Sequence, residues 1–127
     1  MQRTWQIGLT VLAVGVISGL MWSARAMGKT DAPHHTLTGE VLDMSCYLTA
    51  GAHGRGHAAC AAMCLKAGEP AGLLVGDKAY LLVGSHEHPQ AYEQVRGMAA
   101  DKVTVTGKLV DRGGVPGFVV EKVARAQ

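Results

Sequence analysis

The residues best suited to chemistry lie in one short stretch, CYLTAGAHGRGHAACAAMC, which spans residues 46–64. This stretch contains all three cysteines of the chain, Cys46, Cys60 and Cys64, together with His57. Thiolates and imidazoles are the usual protein ligands of zinc, and thiolates also suit Cu(I). The same thiols could instead form one disulfide, or exchange with other thiols in redox chemistry. Three interpretations therefore stay open: a metal site, a structural disulfide with one free thiol, and a thiol redox protein.

The second half of the stretch is typical of a helix. HAACAAMCLKA consists largely of good helix formers, and Gly68 follows where a helix usually ends. The pattern predicts a helix over about 57–67. In such a helix His57, Cys60 and Cys64 stand at positions i, i+3 and i+7, so the three side chains share one face.

Cys46 would complete a set of four metal ligands. We expect Cys46 at the end of the first strand, before a segment over 48–56 that is too rich in glycine to form a stable helix. This segment could fold back and bring Cys46 onto the face that carries His57 and the other two cysteines. The result would be a Cys3His cluster, a set that can surround a tetrahedral ion.

The ligand set leaves the metal open between zinc and copper. Three cysteines and one histidine are a common set for zinc. The thioethers of Met44 and Met63, close in sequence to the cysteines, favour Cu(I) in an exported protein. An iron–sulfur cluster would normally need a fourth cysteine, which the sequence lacks.

The disulfide alternative would pair Cys46 with either Cys60 or Cys64. A bridge between Cys60 and Cys64, one helical turn apart, would strain the helix. Either of the better pairings leaves one thiol free, which is a liability in an oxidising compartment. The odd number of cysteines therefore favours the metal site over the disulfide.

Two other histidines, His86 and His88, form a second candidate pair for weak metal binding. Their alternate positions in an extended segment turn both imidazoles the same way. A plainer interpretation makes His88 the residue that precedes a helix beginning at Pro89, and His86 a polar loop residue. His53, which lies between glycines, is likewise interpreted as a solvated loop residue.

The sequence does not favour an enzymatic function. It contains no nucleophile elbow, no phosphate loop and no zinc-protease helix motif. The acidic residues Glu40 and Asp43 lie at the end of the first strand, and no spacing places a second acid opposite either of them as a catalytic pair.

Residues 1–26 are predicted to be a signal peptide. Arg3 precedes an uncharged run from Trp5 to Ala24, and the small residues of Ala24-Arg25-Ala26 fit a signal-peptidase site. The alternative is an uncleaved membrane anchor, since tryptophan at both ends of an apolar run favours the two membrane interfaces. In either case we expect residues 27 onward to lie outside the cytoplasm, in the periplasm or beyond, or anchored to the inner membrane.

Composition argues against a nucleic-acid partner. The formal net charge of +2 includes Arg3 and Arg25, so basic and acidic side chains balance once residues 1–26 are removed. The aromatic residues that then remain are too few for a base-stacking surface: Tyr47, Tyr80, Tyr92 and Phe118. The expected partners are a metal ion and, in the cell envelope, another protein.

After a polar linker at 27–35, residues 36–127 are predicted to form one small domain. Short or alternating apolar runs predict five strands, within residues 36–43, 71–84 (two strands), 102–111 and 115–123. A helix from Pro89 separates the third strand from the fourth, and an insertion at 44–71 carries the cysteines between the first two. This succession is that of a five-stranded OB-fold, a small Greek-key barrel.

TLTGEVLD and VTVTGKLVDRGGVPGFVVEKV resemble the first and last strands of small exported bacterial OB-fold proteins. The chain is also similar to exported proteins that carry a D-x-x-C-Y…H-x-x-C-A-x-x-C insertion, matched here by Asp43, Cys46, Tyr47, His57, Cys60, Ala61 and Cys64. The resemblance implies a barrel that usually has no enzymatic activity of its own. We therefore expect an exported barrel that binds zinc or copper. The alternatives are a disulfide-stabilised interaction module and a thiol–disulfide redox protein.

Overall fold

The computed structural model of the protein describes residues 32–127. Its elements, in chain order, are β1 (His34–Asp43), α1 (Met44–Ala50), a 3-10 turn (Arg55–His57), α2 (Ala58–Ala67), β2 (Ala71–Val75), β3 (Lys78–Gly84), α3 (Pro89–Arg96), β4 (Lys102–Arg112) and β5 (Val115–Arg125). The predicted signal peptide and most of the predicted linker lie outside the described residues. Within the described range, no helix is both long and apolar enough to cross a membrane.

The five strands close into a barrel in the order β1-β2-β3-β5-β4. Strands β3 and β5 pair in parallel, and the other neighbouring pairs are antiparallel. Helix α3 connects β3 to β4, and the cysteine-bearing segment connects β1 to β2. This is the strand arrangement of an OB-fold. The predicted mainly-β fold, a five-stranded barrel with a helical insertion after the first strand, is therefore confirmed.

Strand β1 begins earlier than the alternation of apolar residues suggests. It starts at His34, inside the predicted linker, because His34 and His35 pair with Lys108 and Gly107 of β4. Near its end the strand leaves β4 and pairs with β2 from Glu40 onward. This change of partner directs the end of β1 toward the insertion.

The two ends of the insertion are held together by backbone contacts. Asp43, the last residue of β1, pairs with Ala71, the first residue of β2. The N–H of Met44 donates to the carbonyl of Pro70 at 3.0 Å. The chain therefore leaves and re-enters the barrel at one point, and residues 44–70 form an insertion whose two ends meet at that end of the barrel.

The sequence pattern does not predict helix α1. The expectation that Cys46 ends a strand, and that no helix forms over 48–56, is wrong for residues 44–50. The helix forms because the carboxylate of Asp43 accepts the N–H of Ser45 at 3.0 Å and caps its start. Gly51 ends the helix in the left-handed conformation, at φ 65°. The first glycine of the segment therefore stops this helix instead of preventing it.

Helix α2 fastens the insertion to the barrel. Leu65 is fully buried in the hydrophobic core together with Phe118 of β5 and Val95 of α3. Burial of one such aliphatic side chain contributes roughly 1.5–3 kcal/mol. The guanidinium of Arg96 in α3 also donates to the backbone carbonyl of Leu65. The face of α2 that carries the cysteines is therefore held in a fixed orientation.

Gly107 allows the backbones of β4 and β5 to approach closely, and its replacement tests how these strands pack. A Cβ atom there would collide with the backbone carbonyl of Val119, where the pairing of β4 with β5 shifts register. We expect Gly107→Ala to lower the free energy of unfolding by roughly 1–3 kcal/mol. The control is Gly56→Ala, where a Cβ meets no atom within 4 Å. Urea denaturation of both variants decides, and equal stability of the two would contradict the packing described.

Candidate metal centre

The site is built around Asp43, at the junction of β1 and α1. The residue is only 2% exposed. One carboxylate oxygen, Oδ1, accepts the N–H of Ser45 and so caps the helix. The other, Oδ2, is buried and has no hydrogen-bond partner among residues 32–127. A buried polar atom without a partner usually marks a site for water or an ion.

Cys46 lies in the first turn of α1, three residues after the capping carboxylate. Its position is fixed at both ends of the helix, by Asp43 at the start and by the backbone N–H of Gly51, which donates to the carbonyls of Cys46 and Tyr47. The Cys46 side chain is partly buried. Helix α1 thus holds this thiol beside the carboxylate that begins the helix.

The loop between α1 and α2 is held against β1 by Glu40. The carboxylate of Glu40 accepts the backbone N–H of Gly54 and lies 3.6 Å from Nδ1 of His53. The ring of His53 in turn contacts the edge of Tyr47, at 6.2 Å between ring centroids. His53, interpreted from the sequence as solvated, is half exposed but has this definite position.

His57 follows this loop and faces the cysteines. Its backbone N–H donates to the carbonyl of Gly54 at 3.0 Å, in the turn that leads into α2. The ring atom Nε2 is buried and, like Asp43 Oδ2, has no hydrogen-bond partner in the described part of the chain. An imidazole nitrogen in this situation has a lone pair or a proton that no described residue satisfies.

The candidate ligands form two groups of three. One ligand atom from each of Cys46, His57 and Cys60 lies within 4.8 Å of the other two. The same limit groups Cys46 and Cys64 with Asp43. Within residues 32–127, no group under this limit contains both Cys60 and Cys64. The structure therefore brings all four predicted ligands to one place, but distributes them over two triads that share Cys46.

Asp43 raises the pKa of two of the thiols, those of Cys46 and Cys64. Hydrogen bonding to the Asp43 carboxylate, together with burial and the negative charge, raises the pKa of Cys46 to about 12. The same influences raise the pKa of Cys64. Both thiols are consequently protonated at neutral pH in the metal-free protein, and a metal ion must displace their protons to bind.

The pKa of the Asp43 carboxyl is shifted in the opposite direction, below its ordinary value. Burial acts to raise its pKa, but the thiols of Cys46 and Cys64 and two backbone N–H groups together lower it. Thiols are weak donors, and neither forms a hydrogen bond of good geometry with Oδ2. Asp43 is therefore an anion at neutral pH, buried beside two thiols.

The remaining predicted residues lie elsewhere. His86 and His88 are both exposed, and neither belongs to a group of three or more candidate ligands in the described range. Met44 is buried, and a Cβ atom built at Gly72 would meet its sulfur, so its thioether packs against the barrel. Met63 is 69% exposed. All three cysteines are free thiols, so neither of the predicted disulfide pairings is formed in this structure.

Comparisons with known proteins do not assign the site. No protein-family model matches the chain, and no curated protein matches it.

Replacing Asp43 tests its influence on the thiols. Asparagine also caps helices well, so Asp43→Asn keeps the cap and removes the negative charge. The pKa of Cys46 should then fall, and each unit of that fall gives about tenfold more thiolate and faster alkylation. Mass spectrometry of the reduced, metal-free protein treated with iodoacetamide at neutral pH follows each cysteine separately.

The matched control is Asp77→Asn, in the exposed turn between β2 and β3. It should leave the alkylation rate of Cys46 unchanged. An Asp43→Asn variant whose Cys46 reacts no faster than in the wild type would show that the carboxylate does not hold the thiol protonated.

Proposed function

We propose that this chain is an exported, non-enzymatic protein that binds zinc through Cys46, His57 and Cys60. The observation that carries the proposal is the convergence of the three ligand atoms within 4.8 Å, with Nε2 of His57 buried and without a partner. A tetrahedral zinc ion with bonds of about 2.0–2.3 Å needs ligand atoms at separations of this order. The signal-like pattern of residues 1–26 supports the exported location.

The donor atoms favour zinc over copper. Thioether ligands would favour Cu(I), but Met44 packs against the barrel and Met63 is exposed. The group that does approach the cysteines is the carboxylate of Asp43, an oxygen donor. Zinc accepts sulfur, nitrogen and oxygen ligands together, whereas Cu(I) is selected by soft sulfur ligands.

The barrel gives this role a rigid support. Its strands fix β1, whose end carries Asp43 and Glu40, and its core holds Leu65 of α2. The ligands come from α1, from the turn before α2 and from α2 itself. Because each of these segments is attached to the barrel independently, the ligands are largely positioned before any ion binds.

A structural disulfide is the second candidate, and two sulfur–sulfur separations support it. The sulfur of Cys46 lies within 4.8 Å of the sulfurs of Cys60 and Cys64. A disulfide bond of about 2.05 Å would require two of these sulfurs to move closer together. Thiol titration of unreduced, metal-free protein separates the two functions, since a bridge leaves one reactive thiol and a metal site leaves three.

The proposed site predicts which substitutions abolish zinc binding. In competition with a chromogenic chelator, Cys46→Ser should weaken zinc binding by more than about 100-fold, since even partners outside the coordination shell cost about 10–100-fold. His57→Ala should weaken it by at least about tenfold. The protein is the full chain, expressed in a bacterial host and purified without a chelator or a histidine tag.

The control for adventitious surface binding is the double substitution of His86 and His88 to alanine. These exposed imidazoles lie outside both triads, so the double variant should bind zinc like the wild type. Full retention of zinc by Cys46→Ser, or its loss from the double variant, would overturn the assignment of the ligands.

A further inference from the structure

The triad of Asp43, Cys46 and Cys64 is not used by the zinc ion proposed above. Cys64 lies one helical turn beyond Cys60 on α2, and its sulfur falls within 4.8 Å of the sulfur of Cys46 and a carboxylate oxygen of Asp43. Cys60 belongs to the first triad alone. The helix therefore presents one cysteine to each side of Cys46.

The carboxylate of Asp43 gives independent support for a ligand on this side. The residue is 2% exposed, and its Oδ2 has no hydrogen-bond partner in the described region. A buried charged oxygen without a partner is costly, and a cation is the partner that stabilises it most. The carboxylate thus lies beside two thiols with one of its two oxygens unpartnered.

Charge balance indicates what kind of cation fits. With every group in the form that binds a metal, the two triads together contain three thiolates and one carboxylate, and the imidazole ligand contributes no charge. Two divalent cations would neutralise these four negative charges, whereas two monovalent ions would leave a net charge of −2 at a partly buried site. Charge that is left unbalanced in such surroundings is unfavourable.

We propose that the site holds a second divalent ion of the zinc class on Asp43, Cys46 and Cys64, with Cys46 as a thiolate that bridges the two ions. This proposal rests on the proposed function, because the bridging sulfur belongs to the first zinc site. With zinc–sulfur bonds of about 2.3 Å, the shared sulfur holds the ions at most about 4.6 Å apart.

The two-ion arrangement would allow zinc to be exchanged with another molecule. Each ion has three protein ligands, so each keeps one coordination position open in a tetrahedral shell. Cys60, a ligand of the first ion, is exposed. The cluster is therefore suited to accept and release zinc, where a site closed by four protein ligands would mainly stabilise the fold.

The number of zinc ions per chain tests the proposal. Native mass spectrometry of the full chain, reduced and then loaded with Zn2+ alone, should show about two ions in the wild type. Cys60→Ser and Cys64→Ser should each retain about one ion, because each removes a ligand of one triad only. Cys46→Ser should retain none. Asp43→Asn, which keeps the helix cap, should lose only the second ion.

The outcomes separate the two proposals. A wild type that binds one ion, lost equally in Cys60→Ser and Cys64→Ser, would overturn the second ion and indicate a single four-ligand site. A wild type that binds no zinc while its circular dichroism shows a folded barrel would overturn the proposed function itself. If Asp43→Asn still binds two ions, the carboxylate is not a ligand and the second site is wrong. Circular dichroism of every variant identifies any that fails to fold, and for Cys64→Ser the test then rests on Asp43→Asn.

Discussion

The position of the Asp43 carboxylate is the constraint on which the rest of the site depends. It ends β1, begins α1 through its hydrogen bond with the N–H of Ser45, and remains buried beside the thiols of Cys46 and Cys64. Because a carboxylate cannot be buried without partners at low cost, the surrounding groups must either donate to it or carry positive charge. The helix cap satisfies one of its oxygens, and the other has no hydrogen-bond partner among residues 32–127.

The barrel keeps this arrangement in place by attaching the insertion at several separate points. The backbone hydrogen bond from Met44 to Pro70 joins the two ends of the insertion. Glu40 holds the glycine-rich loop, Leu65 anchors α2 in the core, and Arg96 binds the carbonyl of Leu65. Gly51 and Gly54, both at positive φ, let the chain turn sharply between these points. A glycine-rich segment thereby places its ligands with little remaining freedom.

Much of the fold could be predicted from the sequence, because the strands and α2 follow local rules. Alternation in VTVTG and the turn around Gly76 predict strands, and Gly68 ends α2 where a left-handed residue is needed, at φ 107°. Helix α1 is not predicted by such rules, because it has only seven residues and depends on the cap at Asp43. Its only local signal is an Asp two residues before a backbone donor, at the point where strand alternation stops.

Four residues of the candidate site, Cys46, His57, Cys60 and Cys64, could be predicted from the sequence, but their division into two triads could not. Helical spacing places His57, Cys60 and Cys64 on one face, yet it cannot show on which side of them Cys46 will lie. That depends on α1 and on the pairing of Asp43 with Ala71, a contact between residues far apart in sequence. Asp43 itself was not predicted as a ligand because no spacing rule links it to the cysteines of α2.

The measurement that tests the account most directly is X-ray absorption at the zinc edge on the zinc-loaded full chain. The account predicts a mixed shell, with sulfur at about 2.3 Å and nitrogen or oxygen at about 2.0–2.2 Å. A shell of nitrogen and oxygen alone would place the zinc on surface histidines and carboxylates, and would contradict a metal centre built on Cys46.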